Sequence, residues 1–192
     1  MISDLLHNKK VIVIGGAGFI GSHLVDLLTQ TKVKKITIYD DFSRGKLSNL
    51  STSLKDKRVN LYDNGGDICN FETLNDAIKG HKIVFHLAAK WLLHCNKYPV
   101  TAFDVNVRGT LNILESCRIN KIDRLIFSSS ASVYGNAISI PMKETHPYNN
   151  KNLYGATKIS CESLMTAYSY QYGLNFIALR YMNVYGPRQD NK

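Results

Sequence analysis

Hydrophobic and polar positions along this chain fall into two kinds of segment that alternate. Short runs rich in β-branched residues are typical of strands, and between them lie longer segments with apolar residues at helical spacing. The strand-like runs are Lys10–Ile14, Lys35–Tyr39, Arg58–Tyr62, Ile83–Leu87, Arg124–Ser128 and Asn175–Leu179. The helix-like segments are Gly18–Thr31, Phe71–Lys79, Ala102–Arg118 and Asn152–Tyr172.

This alternation predicts repeated βαβ units around a parallel sheet. Residues 11–14 read Val-Ile-Val-Ile, as expected for a strand that helices cover on both faces. The expected fold class is therefore α/β, a doubly wound parallel sheet in three αβα layers. A chain of 192 residues is long enough to bury one core, so a single domain over residues 1–192 is expected.

Composition narrows the class of protein. The apolar runs are far shorter than the roughly 20 residues that cross a bilayer, and Met1–Lys10 lacks the features of a secretory signal, so a cytoplasmic protein is expected. Four cysteines stand far apart with no C-x-x-C pair, which predicts reduced thiols and no metal site. They are Cys69, Cys95, Cys117 and Cys161.

The net charge of +9 and the pI near 9.4 favour anionic ligands of several kinds. Nucleic acid, membrane surfaces and the phosphates of nucleotides all carry the required charge. Lysine and arginine are spread along the chain, and no basic helix is interleaved with aromatic residues. We therefore expect neither a nucleic-acid partner nor a membrane partner.

A glycine-rich turn follows the first predicted strand and opens a helix. Gly15, Gly16, Gly18 and Gly21 satisfy both G-x-G-x-x-G and G-x-x-G-x-x-G spacing. Without Cβ atoms the backbone can approach a pyrophosphate, which the helix N-terminus stabilises. The turn, with Phe19 and Ile20 between its glycines, predicts the dinucleotide site of a Rossmann fold.

Asp40 ends the second predicted strand, 19 residues beyond Gly21, where a dinucleotide fold places a carboxylate against the adenosine ribose. A carboxylate there repels a 2′-phosphate, so NAD is favoured over NADP, although Arg44 and Lys46 lie nearby. Asp67 and Ile68, after the third strand, are either neighbours of the adenine or part of a solvated acidic loop.

Tyr154 and Lys158 lie four residues apart, on one face of the last predicted helix. A neighbouring cation favours the ionised phenol, so Tyr154 is the candidate general base and acid and Lys158 the group that lowers its pKa. The fifth strand leads into Ser128, Ser129 and Ser130 at the ligand-binding edge of the sheet. Ser130 is the expected partner of the reacting hydroxyl.

These motifs together resemble the extended short-chain dehydrogenase/reductase family, which includes UDP-glucose 4-epimerases, nucleotide-sugar dehydratases and decarboxylases. The resemblance also rests on His-Leu-Ala-Ala at 86–89, Asn-Val-Arg-Gly-Thr at 106–110 and Leu-Arg-Tyr-Met-Asn-Val-Tyr-Gly-Pro-Arg at 179–188. It implies NAD as cofactor, a nucleotide sugar as substrate and a homodimer formed through helices 102–118 and 152–172. It also implies roles for Asn106, Tyr181 and Asn183 near the dyad, the nicotinamide or the substrate.

The complete set of candidates joins residue chemistry with this resemblance. The catalytic candidates are Ser130, Tyr154 and Lys158, and Ser130 and Asn183 are the substrate-binding candidates. The cofactor-binding candidates are Gly15, Gly18, Phe19, Ile20, Gly21, Asp40, Asp41, Ser43, Asp67, Ile68, Leu87, Ala88, Ala89, Lys90, Asn106, Ser128, Tyr154, Lys158 and Tyr181.

Two residues bear on the reaction type. Dehydratases and decarboxylases of this family carry acidic residues just before the Val-Tyr-Gly triplet, where this chain has Ala131 and Ser132. An epimerase, which oxidises a sugar hydroxyl and reduces the ketone on its other face, is therefore favoured. A dehydratase, a reductase that exchanges its cofactor and a non-catalytic NAD-binding module remain as alternatives.

The resemblance implies a further lobe of roughly a hundred residues that closes over the substrate, since a full member runs well past 250 residues. This chain stops at Lys192. We therefore expect NAD binding with weak or no turnover by the chain alone, unless a separate polypeptide supplies the lobe.

Overall fold

Six parallel strands form one sheet in the computed structural model, which describes residues 5–189. The strands are β1 (Lys10–Ile14), β2 (Lys35–Tyr39), β3 (Val59–Leu61), β4 (Ile83–His86), β5 (Arg124–Ser130) and β6 (Phe176–Tyr181). Their order in the sheet is β3-β2-β1-β4-β5-β6, and every neighbouring pair is parallel. The predicted doubly wound α/β fold is confirmed.

Helices connect the strands and cover both faces of the sheet. They are α1 (Phe19–Thr29), α2 (Phe71–Ile78), α3 (Leu92–Lys97), α4 (Pro99–Phe103), α5 (Gly109–Ile119) and α6 (Leu153–Tyr172). Short 3₁₀ helices cover Leu47–Leu50, Ser53–Lys55 and Ala131–Val133. Among the helices of residues 5–189, none combines the length and apolar character needed to span a bilayer.

The segment Ala102–Arg118 is helical throughout, as predicted, but it is not one regular α-helix. That segment begins in α4, passes through a π-helical turn at Asp104–Arg108 and continues as α5. The predicted segment did not show this turn, because a single π-helical turn keeps the chain helical and has no apolar pattern of its own. The short helix α3 was also outside the predicted segments.

Strand ends differ from the predicted bounds by one or two residues. β5 continues to Ser130 and β6 to Tyr181, because these two residues pair in the parallel register. β3 is shorter than predicted, since its pairing with β2 covers only Val59–Leu61. The extension of β5 brings Ser130 to the carboxyl edge of the sheet beside Tyr181.

Alternate residues of β1 enter two separate cores. Ile12 and Ile14 join a cluster with Phe127 and Met165, and Val11 and Val13 join a second cluster. These four side chains of β1 have zero exposed surface. A strand buried on both faces explains the continuous apolar run at residues 11–14.

A buried ion pair joins α6 to β6 directly behind the edge where the strands end. Arg180 Nη2 lies 2.7 Å from Glu162 Oε2, and the Glu162 side chain is only 6% exposed. Ser129 and Tyr148 also donate hydrogen bonds to Glu162, and Arg180 donates to Glu144 O at 2.8 Å. The pair thereby fixes the loop between β5 and α6.

Electrostatics of the pair reflect this burial. Burial raises the pKa of Glu162, but hydrogen bonds from Arg180, Ser129 and Tyr148 outweigh it and hold the pKa below its usual value. The pair therefore stabilises the fold above the unfolded pKa of the carboxyl, and this contribution is lost as the pH falls through the lower folded value.

We expect Arg180→Met to lower the free energy of unfolding by about 3 kcal/mol at neutral pH, because it leaves the carboxylate of Glu162 buried without its cation. Urea denaturation measures the change. Arg118→Met is the matched control, since Arg118 pairs with Glu115 on the surface and its loss is expected to matter little. Equal destabilisation by the two variants would contradict the assignment.

Candidate functional site

The glycine-rich turn between β1 and α1 lets two backbone segments touch. Gly15 has a φ of 81°, and a Cβ there would lie 2.7 Å from the backbone nitrogen of Ala88. A Cβ on Gly21 would overlap the carbonyl oxygen of Gly15. Gly18 is the N-cap of α1 and offers no side-chain cap, so backbone N–H groups of the first turn remain for a ligand.

Asp40, at the end of β2, holds this turn in place. Its carboxylate accepts hydrogen bonds from the backbone of Ala17 at 2.8 Å and of Phe42 at 2.9 Å. Burial raises the pKa of Asp40, while these backbone hydrogen bonds act to lower it. The structure thus gives Asp40 a role in shaping the turn, and its contact with a ribose stays a prediction.

Two cavities lie along the carboxyl edge of the sheet on either side of this turn. The first cavity has a volume of about 370 Å³. The predicted cofactor residues that line it are Gly15, Gly18, Phe19, Ile20, Gly21, Leu87, Ala89 and Ser128. A cavity of about 110 Å³ is lined by Gly15, Gly18, Asp40, Asp41, Ser43, Asp67, Ile68, Leu87, Ala88, Ala89 and Lys90. The predicted residues therefore lie together in one cleft.

A third cavity, of about 210 Å³, brings the catalytic candidates together. Ser130, Tyr154 and Lys158 line it with Tyr181, and Ser128 is shared with the cavity of about 370 Å³. The N-terminal half of α6 presents the phenol and the ammonium, while the end of β5 presents the serines. The three-residue constellation expected from sequence is therefore assembled at one point of the sheet edge.

Burial controls the protonation of the dyad. It raises the pKa of Tyr154 to about 12, although the hydroxyl of Ser130 opposes the rise. It lowers the pKa of Lys158 to about 8. The expected lowering of the phenol pKa by Lys158 is not seen, because desolvation dominates and the ammonium donates to Ser128 O at 2.8 Å instead.

Asn106 lies in the π-helical turn and connects the cofactor cleft with α6. Its Oδ1 accepts from the backbone of Lys90 at 2.7 Å, and its Nδ2 donates to Lys90 O at 3.0 Å. Nδ2 also lies 3.1 Å from Thr157 Oγ1, next to Lys158. The side chain is buried, so Asn106 positions backbone and helix without lining the three cavities described above.

Asn183 is the candidate that the structure does not bring to the site. Its neighbours Met182 and Val184 line the cavity of the dyad, whereas Asn183 is exposed and absent from that lining. The sequence could not show this, because the direction of each side chain after β6 depends on the path of the loop. A contact between Asn183 and a substrate stays a prediction.

Several cavity-lining residues were missed by sequence reasoning. They are Trp91, Asn49, Arg188 and Gln189 around the cavity of about 370 Å³, and Met182 and Val184 near the dyad. Trp91 directly follows the predicted Lys90, but no motif distinguishes it. Its proximity to the glycine turn becomes visible only when the strands are placed side by side.

Comparisons with known proteins agree with this geometry. The sequence profile described as "NAD dependent epimerase/dehydratase family" matches residues 11–192. A UDP-glucose 4-epimerase of Lacticaseibacillus casei is 34% identical over 94% of this chain and 53% of its own length.

Solved structures give the same result. A UDP-N-acetylglucosamine 4-epimerase of Methanobrevibacter ruminantium M1, in complex with UDP-N-acetylmuramic acid, is 37% identical with a TM-score of 0.89, over 97% of this chain and 59% of that one. A UDP-glucose 4-epimerase of Thermus thermophilus, in complex with NAD, is 35% identical with a TM-score of 0.86. The match covers 95% of this chain and 58% of that one.

The chain thus spans a little over half the length of these relatives. Within that half, the profile and the superposed structures include the glycine turn, the serine strand end and the dyad. The chain therefore belongs to the NAD dependent epimerase/dehydratase family.

Proposed function

We propose that this chain carries the cofactor site and the proton-transfer residues of an NAD-dependent nucleotide-sugar epimerase. The observation that carries the proposal is the cavity in which Ser130, Tyr154 and Lys158 meet, continuous through Ser128 and Leu87 with the cleft at the glycine turn. A site with a phenol, an ammonium and a hydroxyl beside a dinucleotide cleft suits reversible oxidation of a sugar hydroxyl.

The residues present fit NAD. Its diphosphate would lie at the glycine turn, where missing Cβ atoms and the N-terminus of α1 leave room and hydrogen-bond donors. Its adenosine would lie beside Asp40, Asp67 and Ile68, and its nicotinamide beside Tyr154 and Lys158. When bound, NAD supplies a reversible hydride acceptor and a positive charge near the phenol.

Proton transfer falls to the residues of the chain. Tyr154 accepts the proton of the sugar hydroxyl and later returns it, while Ser130 donates a hydrogen bond to the same oxygen. Burial opposes ionisation of this phenol, and Lys158 stands beside it as a buried donor that the carbonyl oxygen of Ser128 holds in place.

Ala131 and Ser132 support epimerisation over elimination of water. They begin the 3₁₀ helix that follows β5, directly after Ser130. An alanine and a serine cannot act as the acid and base that elimination requires. A 4-keto-6-deoxy product would favour the dehydratase, and net accumulation of NADH would favour a reductase.

We propose residues 1–192 as the dinucleotide-binding domain, with the remaining substrate contacts supplied by further polypeptide. Formation of a homodimer through α5 and α6, and a cytoplasmic location, stay predictions.

We expect the 192-residue chain to bind NAD, and isothermal calorimetry measures the affinity. Gly18→Val is expected to weaken it at least about tenfold, because a side chain at the N-cap of α1 enters the diphosphate space. Gly18 has no positive φ, so the thermal midpoint of the variant should stay near that of the parent. Binding unchanged by Gly18→Val would exclude the glycine turn as the diphosphate site.

We expect Tyr154→Phe to lower the rate of interconversion of UDP-glucose and UDP-galactose about 10³-fold while NAD affinity changes little. Chromatography of the nucleotide sugars after incubation with NAD-loaded protein measures the rate. Tyr168→Phe on the same helix is the control, since its hydroxyl contacts Glu115 rather than the cavity. Because weak or no turnover is expected of the 192-residue chain alone, the rate is measured on a protein that also contains the substrate lobe. If that protein binds NAD but never interconverts the sugars, the non-catalytic module becomes the better description.

Lys158→Met should stabilise the fold while impairing the site. The folded pKa of Lys158 is about 8 against 10.5 for the free side chain, so the folded state binds the proton less tightly. Below pH 8 the parent therefore bears the cost of a buried charge that the variant lacks, and this difference narrows as pH rises toward 10.5. Urea midpoints of both proteins across this range test the sign, and a variant less stable at every pH would refute it.

A further inference from the structure

Two loops meet above the glycine turn and form a contact that the proposed chemistry does not use. The guanidinium of Arg44, in the loop after β2, lies 4.5 Å from the centroid of the Trp91 ring, in the loop after β4. Next to it, Lys90 Nζ lies 3.2 Å from Ser43 Oγ. We refer to Ser43, Arg44, Lys90 and Trp91 together as the cleft bridge.

Sheet order explains where the cleft bridge lies. β2 and β4 are the two neighbours of β1, and β1 leads into Gly15. Loops that follow β2 and β4 can therefore touch only by crossing the carboxyl end of β1. The cleft bridge consequently passes over the glycine turn, between the two cavities of the cleft.

Cavity linings agree with this position. Arg44 and Trp91 line the larger cavity together with Gly15 and Gly18, whereas Ser43 and Lys90 line the smaller one together with Asp40. A dinucleotide that reaches from Asp40 to the dyad must pass the glycine turn. Its diphosphate would then lie between that turn and the cleft bridge.

We propose that Arg44 and Trp91 form a gate over the diphosphate of NAD that sets how fast the dinucleotide leaves. This inference rests on the proposed function, since it requires NAD in the cleft. The gate is closed by a cation–π contact, and the positive charge of Arg44 lies near the bound diphosphate. An enzyme that regenerates NAD in each turnover has no need for rapid exchange, so a closed gate costs it nothing in rate.

The chain offers a direct probe of the gate. Trp91 is the single tryptophan of the sequence, so its fluorescence reports from the cleft alone. Because NADH absorbs at the wavelengths where tryptophan emits, we expect bound NADH to quench Trp91 by energy transfer. Calorimetry with NADH on the same sample gives the binding stoichiometry independently.

Dissociation of NADH, chased with excess NAD in a stopped-flow instrument, tests the gating step. In variants that lack Trp91, the fluorescence emission of NADH itself reports the dissociation. We expect Arg44→Ala and Trp91→Leu each to raise the dissociation rate about tenfold, with association changed less than about threefold. The double variant should dissociate no faster than the faster single variant, because each substitution already opens the same contact.

Lys97→Ala is the matched control, because Lys97 stacks on Tyr98 at 5.1 Å next to the same loop but outside the three cavities described. It should leave the dissociation rate unchanged. A fast Arg44→Ala with a normal Trp91→Leu would show that charge alone retains NADH, which overturns the gate. Unquenched Trp91 with NADH bound also overturns it, whereas absence of NADH binding to the parent overturns the proposed function as well.

Discussion

The close approach of two backbone segments, Gly15 on one side and Ala88 on the other, is the constraint on which the site depends. At 2.7 Å from the position of a Cβ, the nitrogen of Ala88 leaves space only for a glycine. This contact sets the ends of β1 and β4 side by side and fixes the floor of the cleft. The cavities, the serines of β5 and the cleft bridge all take their positions from that floor.

Above the floor, the site depends on charges that are held out of water. Lys158 is buried, donates to Ser128 O and lies 4.6 Å above the ring of Phe127. Desolvation makes both the ammonium and an ionised Tyr154 costly, so the fold must hold them in place by other means. The Glu162–Arg180 pair, one turn further along α6, provides a rigid connection to β6. The ion pair thus stabilises the helix that carries Tyr154 and Lys158 without lining their cavity.

Local patterns in the sequence predicted most of the fold and the composition of the site. The strands, the glycine turn, Asp40 and the Tyr154–Lys158 spacing each depend on residues close together in the chain. Features that arise only from tertiary packing were not accessible: the pKa of Tyr154, the exposure of Asn183 and the contact of Trp91 with Arg44 all require neighbours from distant segments. The resemblance to a family supplied roles for Asn106 and Tyr181 that spacing alone did not.

The π-helical turn at Asp104–Arg108 has a geometric consequence for α5, the helix that continues from it. One additional residue in the turn rotates the side chains of α5 by about 100° relative to an uninterrupted α-helix. That rotation lets Asn106 reach Lys90 while Gly109 packs against the side chain of Ile68. Loss of a single residue there would turn the face of α5 away from α6, so the π-helical turn sets the alignment of α5 with α6.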